Sequence, residues 1–415
     1  MFSYSTRNVA RLSLIDSHLR QELVGARKPQ SHALSSGIFP VMVQFQPGTS
    51  CFNNGVNHLK SIVNNYAHCK MNQSLPRFSL QGGNLTATAL EDLCANCGDV
   101  KKIYLDREFS VLLDTATETT RAIELQEEDA TGEGVTVAVL DTGVHPSPDL
   151  MEPEERIIAF KDFIDDQEEP YDDNGHGTHC AGDVAGNGQQ SDGEYAGPAP
   201  NANIVGVKVL DMMGAGSLSN IIAGVDWCME NQEAYDIQIL SLSLGSPAMD
   251  PEDDDPLVQT VNQAWDAGMV VCAAAGNEGP SEETIASPGI SQKIITVGAL
   301  DEQGTPDRSD DDVAEFSSRG PTIDGHTKPD MLAPGVDIVS LRAPDAFLDQ
   351  MSKDDQLDDT YIAMSGTSMA TPICAGVCAQ LLEKNPELEP DELKKQLREG
   401  AEDLGLEANI QEKDQ

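Results

Sequence analysis

The chain has no run of ~18 uncharged apolar residues, the length a membrane-spanning helix requires, so no such helix is expected. Its opening stretch, MFSYSTRNVARLSLIDSHLRQELVGARKPQ, scatters arginines and an aspartate and lacks an apolar core followed by a small-residue cleavage site. A secretion signal is therefore not expected, and the cytoplasm is the expected location. Basic residues are scarce: 26 Lys and Arg stand against 70 Asp and Glu, a net charge of −44. That excess repels nucleic acid and anionic membrane, which removes both from the expected partners. A second cysteine pair is missing too. Cys94-Ala-Asn-Cys97 has no counterpart at zinc-site spacing and is read as helix packing. The nine cysteines are odd in number and several sit in apolar runs, as reduced buried thiols do. No internal repeat is present.

What is there is a globular composition, 39% apolar over 415 residues, enough for one large α/β domain and a smaller one. The charge is uneven. Residues 1–115 hold eleven Lys and Arg against eight Asp and Glu, while residues 116–415 hold fifteen against sixty-two. Screening relieves such self-repulsion, which suits a salt-tolerant protein; plain solubility is the other reading of the same surface.

Residues 1–37 read as an N-terminal extension and 38–110 as a small α/β module. In that module Pro40–Phe45 reads as a strand and 56–66 as an amphipathic helix. A second extended stretch starts at Arg77–Leu80 and closes in a Gly82-Gly83-Asn84 turn; a helix over 88–97 and a strand over Val100–Leu105 follow. The chain turns polar at 106, and 111–132 reads as a linker. From Gly134 the grammar changes. Val135–Leu140 is a near-continuous β-branched run, as in a strand buried on both faces of a parallel sheet. Similar runs recur at 203–210, 237–244, 269–275 and 293–297, with helical patterns at 219–231 and 257–267 between them. The alternation predicts a doubly wound parallel sheet with helices on both faces over 133–403, before a polar tail at 404–415.

Three segments each present one reactive residue. The first buried strand ends in Asp141-Thr142-Gly143, a carboxylate at the sheet edge where α/β sites gather. Asn174–Gly182 carries His176 among glycines that permit close backbone approach. Gly366–Pro372 places Ser368 at a helix start, where free N–H groups favour developing negative charge. A serine needs a base, and the base an orienting carboxylate. DTGV (141–144), NGHGTHCAG (174–182), AAAGNEG (273–279) and GTSMATP (366–372) resemble the signature segments of the subtilase family, in the family's order. LDTAT (113–117), PYDDNGHGTHCAGDVA (170–185) and FSSRGPT (316–322) are similar to the AprX-type intracellular alkaline serine proteases of bacilli.

The resemblance implies a subtilisin-like serine endopeptidase forming an acyl-enzyme on Ser368, with His176 as proton carrier and Asp141 fixing the imidazole. It implies Asn277 as an oxyanion donor. Ser243, Leu244, Gly245, Ala274, Ala275 and Gly276 are implied as walls of the primary specificity pocket. Ala286 falls where the family often has glycine at the pocket floor. No charge lines that set, so an apolar P1 residue is expected, with the bulkiest aromatics disfavoured. Gly214 and Gly216, with Ala215 and Leu218, are implied as the edge against which substrate backbone pairs. The N-terminal module is implied as a propeptide and intramolecular inhibitor; a permanent regulatory domain is the alternative. Protein or peptide substrates are the expected partners, and no cofactor is required. The family's calcium turn is not matched by 187–193, which leaves the acidic stretches 162–173, 250–255 and 308–312 as weak calcium sites or solvated faces. His179 reads as a packing partner, Cys180 as a bystander, Met369 as an oxidation liability and His145 as incidental. A binding scaffold without activity and a peptide ligase are the alternative functions.

Overall fold

A computed structural model describes residues 13–25, 37–112, 130–304, 310–401 and 404. The chain divides into two compact units, with the boundary after Glu108 and residues 217–219 counted with the first. Most of the predicted linker, the LDTAT segment and nearly all of the polar tail lie outside the described residues.

The first unit is a four-stranded antiparallel sheet of β1 (Ile38–Phe45), β2 (Lys70–Leu75), β3 (Leu80–Thr86) and β4 (Val100–Leu105), in the order β2-β3-β1-β4. Helix Thr49–Asn65 lays Phe52, Leu59 and Ile62 against it, positions one helical face apart. Helix Ala87–Asn96 is capped by the Thr86 hydroxyl, 3.3 Å from Ala89 N, and adds Leu90 and Leu93. Cys94 and Cys97 sit in the same core and form no disulfide.

Three expectations need correcting here. Gly82 and Gly83 form no turn; they lie inside β3, paired with Met42 and Val41. A Cβ on Gly83 would come 3.0 Å from Lys70 O, so the glycines mark close approach of the β2 backbone. β2 itself was missed because a polar edge strand, KMNQSL, carries little apolar alternation. Part of the N-terminal extension also belongs to the core: Ile15 bridges Ile103, Leu19 is fully buried, and Asp16 caps helix Ser17–Gly25 through Leu19 N at 2.8 Å.

The second unit opens with β5 (Glu108–Val111), where polar linker was expected, and continues with β6 (Thr136–Asp141), β7 (Ile157–Asp162), β8 (Asn203–Lys208), β9 (Ala215–Ser217), β10 (Ile237–Leu242), β11 (Leu244–Pro247), β12 (Val270–Ala274), β13 (Ala286–Ser287), β14 (Ile295–Asp301), β15 (Asp312–Val313) and β16 (Met331–Pro334). Eight of these form the main sheet, β15-β14-β12-β10-β6-β8-β7 with β16 beside β14. Its pairings are parallel except β14–β15. Every residue of β6 is buried, as its unbroken apolar run required. Because the central strands are parallel, their carboxyl ends share one edge, and β6, β10 and β12 deliver Asp141, Ser243 and the approach to Asn277 there. The predicted run 237–244 breaks at Ser243: β11 leaves the main sheet and pairs with β5 and β13.

Candidate active site

Asp141 ends β6 with its side chain wholly buried. Its Oδ1 accepts from the Thr142 N–H at 2.7 Å and lies 2.7 Å from His176 Nδ1. Facing a carboxylate, Nδ1 carries the proton, and Nε2 is left as the acceptor. Nε2 is buried and has no hydrogen-bond partner. The two segments can interlock only because they lack side chains at the crossing. A Cβ on Gly177 would meet Gly143 O at 2.2 Å, and one on Gly143, at φ +125°, would meet Tyr171 O at 2.1 Å.

Asp172 clasps this loop. Its carboxylate accepts from the Asn174, Gly175 and Thr178 N–H groups and from the Thr142 and Thr178 hydroxyls, at 2.7–3.1 Å. Lys208 is fully buried and ties the other side, donating to Thr142 O (2.5 Å), Leu210 O (3.0 Å) and Asp173 (2.7 Å). Neither residue was singled out from sequence. The acidic residues just before the His176 helix were the available signal for Asp172.

Ser368 is the second residue of helix Thr367–Lys384. Pro372 stands four residues on and has no N–H, so the Ser368 carbonyl loses its helical partner. The Ser243 hydroxyl (2.8 Å) and the Cys180 thiol (3.5 Å) donate to it instead. The Ser368 hydroxyl donates to Ser243 O at 2.8 Å and accepts from the Leu112 N–H at 3.1 Å. It makes no hydrogen bond to His176 in this arrangement. Asn277 Oδ1 accepts from the Thr367 N–H (3.1 Å) and hydroxyl (2.9 Å), which fixes the amide's orientation. Asn277 Nδ2 is thereby turned elsewhere, buried and without an acceptor.

The implied pocket residues converge. A Cβ on Gly245 would lie 3.0 Å from Ala286 Cβ, and one on Gly276 would lie 3.2 Å from it. Ser243, Leu244, Ala274 and Ala275 are buried around them. The same Gly245 position is 3.1 Å from Leu112 Cδ1, so a leucine of this chain already lies in that space. Ser110 and Val111 pair antiparallel with Gly245 and Leu244, and the Val111 N–H donates to Gly214 O at 3.0 Å. A Cβ on Gly366 would sit 2.3 Å from Leu112 O and 3.2 Å from Asn277 Nδ2, so glycine at 366 makes room for both. Gly216 lies in β9, which is hydrogen-bonded to β5, and a Cβ on it would meet Val209 O at 2.3 Å.

The remaining side chains have bounded roles. His179 Nδ1 lies 2.9 Å from Asp183, and its Nε2 lies 3.0 Å from Ile338 O. Burial, then the charges of Asp141 and Asp183, push the Cys180 thiol well up, so it is no thiolate despite lying 3.7 Å from His176 Nδ1. Burial lowers His145, with Asp172 opposing. Beside the 187–193 turn the Asp149 carboxylate accepts from the Gln190 N–H and the Tyr361 hydroxyl. In the stretch 162–173, burial pushes Asp162 up, but N–H bonds from Ile164, Gln167 and Asp165 and the Tyr171 hydroxyl hold it below its usual value. Among the described residues, the acidic stretches gather no three carboxylates at metal-binding distance.

Residues 132–413 match the subtilase family. A parallel sheet with a buried Asp–His pair, and a serine opening a helix at its carboxyl edge, is accordingly that of a family member: the chain belongs to the subtilases, subtilisin-like serine proteases that hydrolyse peptide bonds. It is 46% identical to serine protease AprX of Bacillus subtilis (strain 168), over 96% of this chain and 94% of that protein. Among solved structures it is similar to a cold adapted subtilisin-like serine proteinase, at 30% identity over 72% of this chain and 94% of that one, with a TM-score of 0.53. It is also similar to fervidolysin from Fervidobacterium pennivorans, a keratinolytic enzyme related to subtilisin, with a TM-score of 0.69 over 90% of this chain and 59% of that one. At 22% identity the latter speaks for the fold alone.

Proposed function

We propose that this chain is an endopeptidase acting through an acyl-enzyme on Ser368. Ser368 Oγ attacks the scissile carbonyl carbon while His176 Nε2 takes its proton. The C–N bond then breaks, the leaving amine receives that proton, and water repeats the sequence to free the acid. Asp141 holds the imidazole, and Asn277 Nδ2 with the Ser368 N–H donates to the oxyanion. The observation that carries this reading is the pair of buried, unpartnered atoms His176 Nε2 and Asn277 Nδ2. One lacks a proton to accept and the other lacks an acceptor, the two deficits a serine-bound tetrahedral intermediate would fill.

The same reading extends to specificity and control. The uncharged pocket around Gly245, Gly276 and Ala286 suits an apolar P1 residue of leucine size, and Leu112 supplies one. Residues 110–112 lie as a substrate would, with backbone pairing to Leu244 and Gly245. The N-terminal module is therefore read as an intramolecular inhibitor, with maturation after Leu112. Nine free cysteines suit a reducing, cytoplasmic compartment. The charge of −44 suits salt tolerance. No cofactor takes part.

The test is casein hydrolysis by wild type, Ser368→Ala, His176→Ala and the double variant, with an acylating serine reagent mapped by mass spectrometry. Each single change is expected to remove nearly all activity and the double to be little worse, since the groups act as one unit. Fully additive losses, or a label elsewhere than Ser368, refute the mechanism.

A further inference from the structure

Away from the proposed catalytic residues, three of the free cysteines converge. Cys272 lies on β12, while Cys374 and Cys378 stand one turn apart on the Ser368 helix, a spacing that puts both on one face. All three are buried and reduced, and their sulfur atoms lie within 4.8 Å of one another. Single buried thiols pack as small hydrophobes and need no further account. Three sulfurs meeting across one strand–helix interface are different, because they form a ready ligand set.

The dimensions narrow the ligand. Metal–thiolate bonds run ~2.3 Å, so three sulfurs placed trigonally about one ion are about 4 Å apart. The triangle here, with no side longer than 4.8 Å, is compatible with that spacing. Structural zinc takes four ligands. Among the described residues no fourth His, Cys, Asp or Glu joins the cluster, and its burial leaves water little room to complete a tetrahedron. Thiolates without nitrogen or oxygen partners favour soft ions, Cu(I) foremost.

We propose that Cys272, Cys374 and Cys378 form a binding site for one soft monovalent cation of the Cu(I) class, held by three sulfurs in a plane. Each thiol that ligates releases its proton to solvent, and no electron moves. The ion would join two pieces of the machinery without touching it. Cys374 lies six residues beyond Ser368, about 9 Å along the helix. Cys272 lies five residues before Asn277, on the strand that runs into the pocket wall. Binding to the folded state alone stabilises that state. The ion is thus a staple between the serine helix and the strand leading to Asn277, and it raises the melting temperature.

The test uses the full chain carrying Ser368→Ala, which prevents self-digestion, reduced and handled anaerobically. Copper(I) is supplied in competition with bathocuproine disulfonate, and protein-bound copper is counted after gel filtration. The parent is expected to retain one equivalent that Cys272→Ala, Cys374→Ala and Cys378→Ala each lose. Cys180→Ala, Cys228→Ala and the Cys94→Ala/Cys97→Ala pair should keep it. X-ray absorption on the parent, which needs no further variant, should show a single shell of three sulfurs. The melting temperature should rise with one equivalent of copper in the parent and not in Cys378→Ala. No retained copper, a two-sulfur shell, loss confined to the Cys94–Cys97 or Cys180 variants, or a disulfide within the trio overturns the proposal.

Discussion

Leu112 offers a quantitative handle on the self-processing proposed above. Its N–H donates to the Ser368 hydroxyl, its Cδ1 lies 3.1 Å from where a Cβ on Gly245 would stand, and its carbonyl lies against Gly366. A cut after this residue should depend on how well its side chain fills the pocket. Leu112→Ala removes three carbons. At about 0.8 kcal/mol per buried carbon the full loss is ~2.4 kcal/mol, and about half that if only half the side chain were withdrawn from water; Leu112 here is partly buried. With 1.36 kcal/mol per tenfold in rate, maturation should slow about eightfold to sixtyfold. Leu112→Met, which conserves volume, should mature at close to the wild-type rate, and Leu112→Asp, placing a carboxylate in an uncharged pocket, should be slowest. The assay is a time course of precursor conversion by intact mass, with the new N-terminus expected at Leu113. Unaltered kinetics in Leu112→Asp, or a cut at a different bond in the wild type, would refute the reasoning.

Asn277→Ala should lower kcat by about 10²–10³ with little change in KM, the usual loss for a deleted oxyanion donor; equal effects on both constants would make Asn277 structural only. Ala286→Gly should raise cleavage after Phe and Tyr relative to Leu in a peptide library, and an unchanged profile would show the pocket assignment to be wrong. The melting temperature of Ser368→Ala should climb with NaCl, because the screening length falls from ~10 Å at 0.1 M to ~3 Å at 1 M and the charge of −44 repels itself less; a flat or falling curve counts against salt tolerance through charge.

The parts legible in sequence are those written locally. The Val135–Leu140 run could hardly be anything but a strand buried on both faces, and GTSMATP had to open a helix ahead of its apolar stretch. What escaped was set by distant partners. Asp172 and Lys208 look like any surface polar residues until folding brings Thr142 and Thr178 to the one and Thr142 O to the other. β2 and β5 carry too few apolar residues to announce strands, and they exist because neighbouring backbones offer them hydrogen bonds. The same holds for Ser243, named for a wall, whose hydroxyl also replaces the hydrogen bond that Pro372 removes.

A pocket that already holds a leucine of its own chain answers to two readers. Any change at Gly245, Gly276 or Ala286 that suits a new substrate also alters the fit to position 112. If the proposed cut after Leu112 is what frees the enzyme, drift in specificity is thereby tethered: a variant tuned to a bulkier residue would recognise its own junction less well and stall before it could act on anything else. Retargeting such a protease is a two-site problem, in which the pocket and residue 112 are recut as a matched pair, or the altered chain is opened by a helper that keeps the old preference.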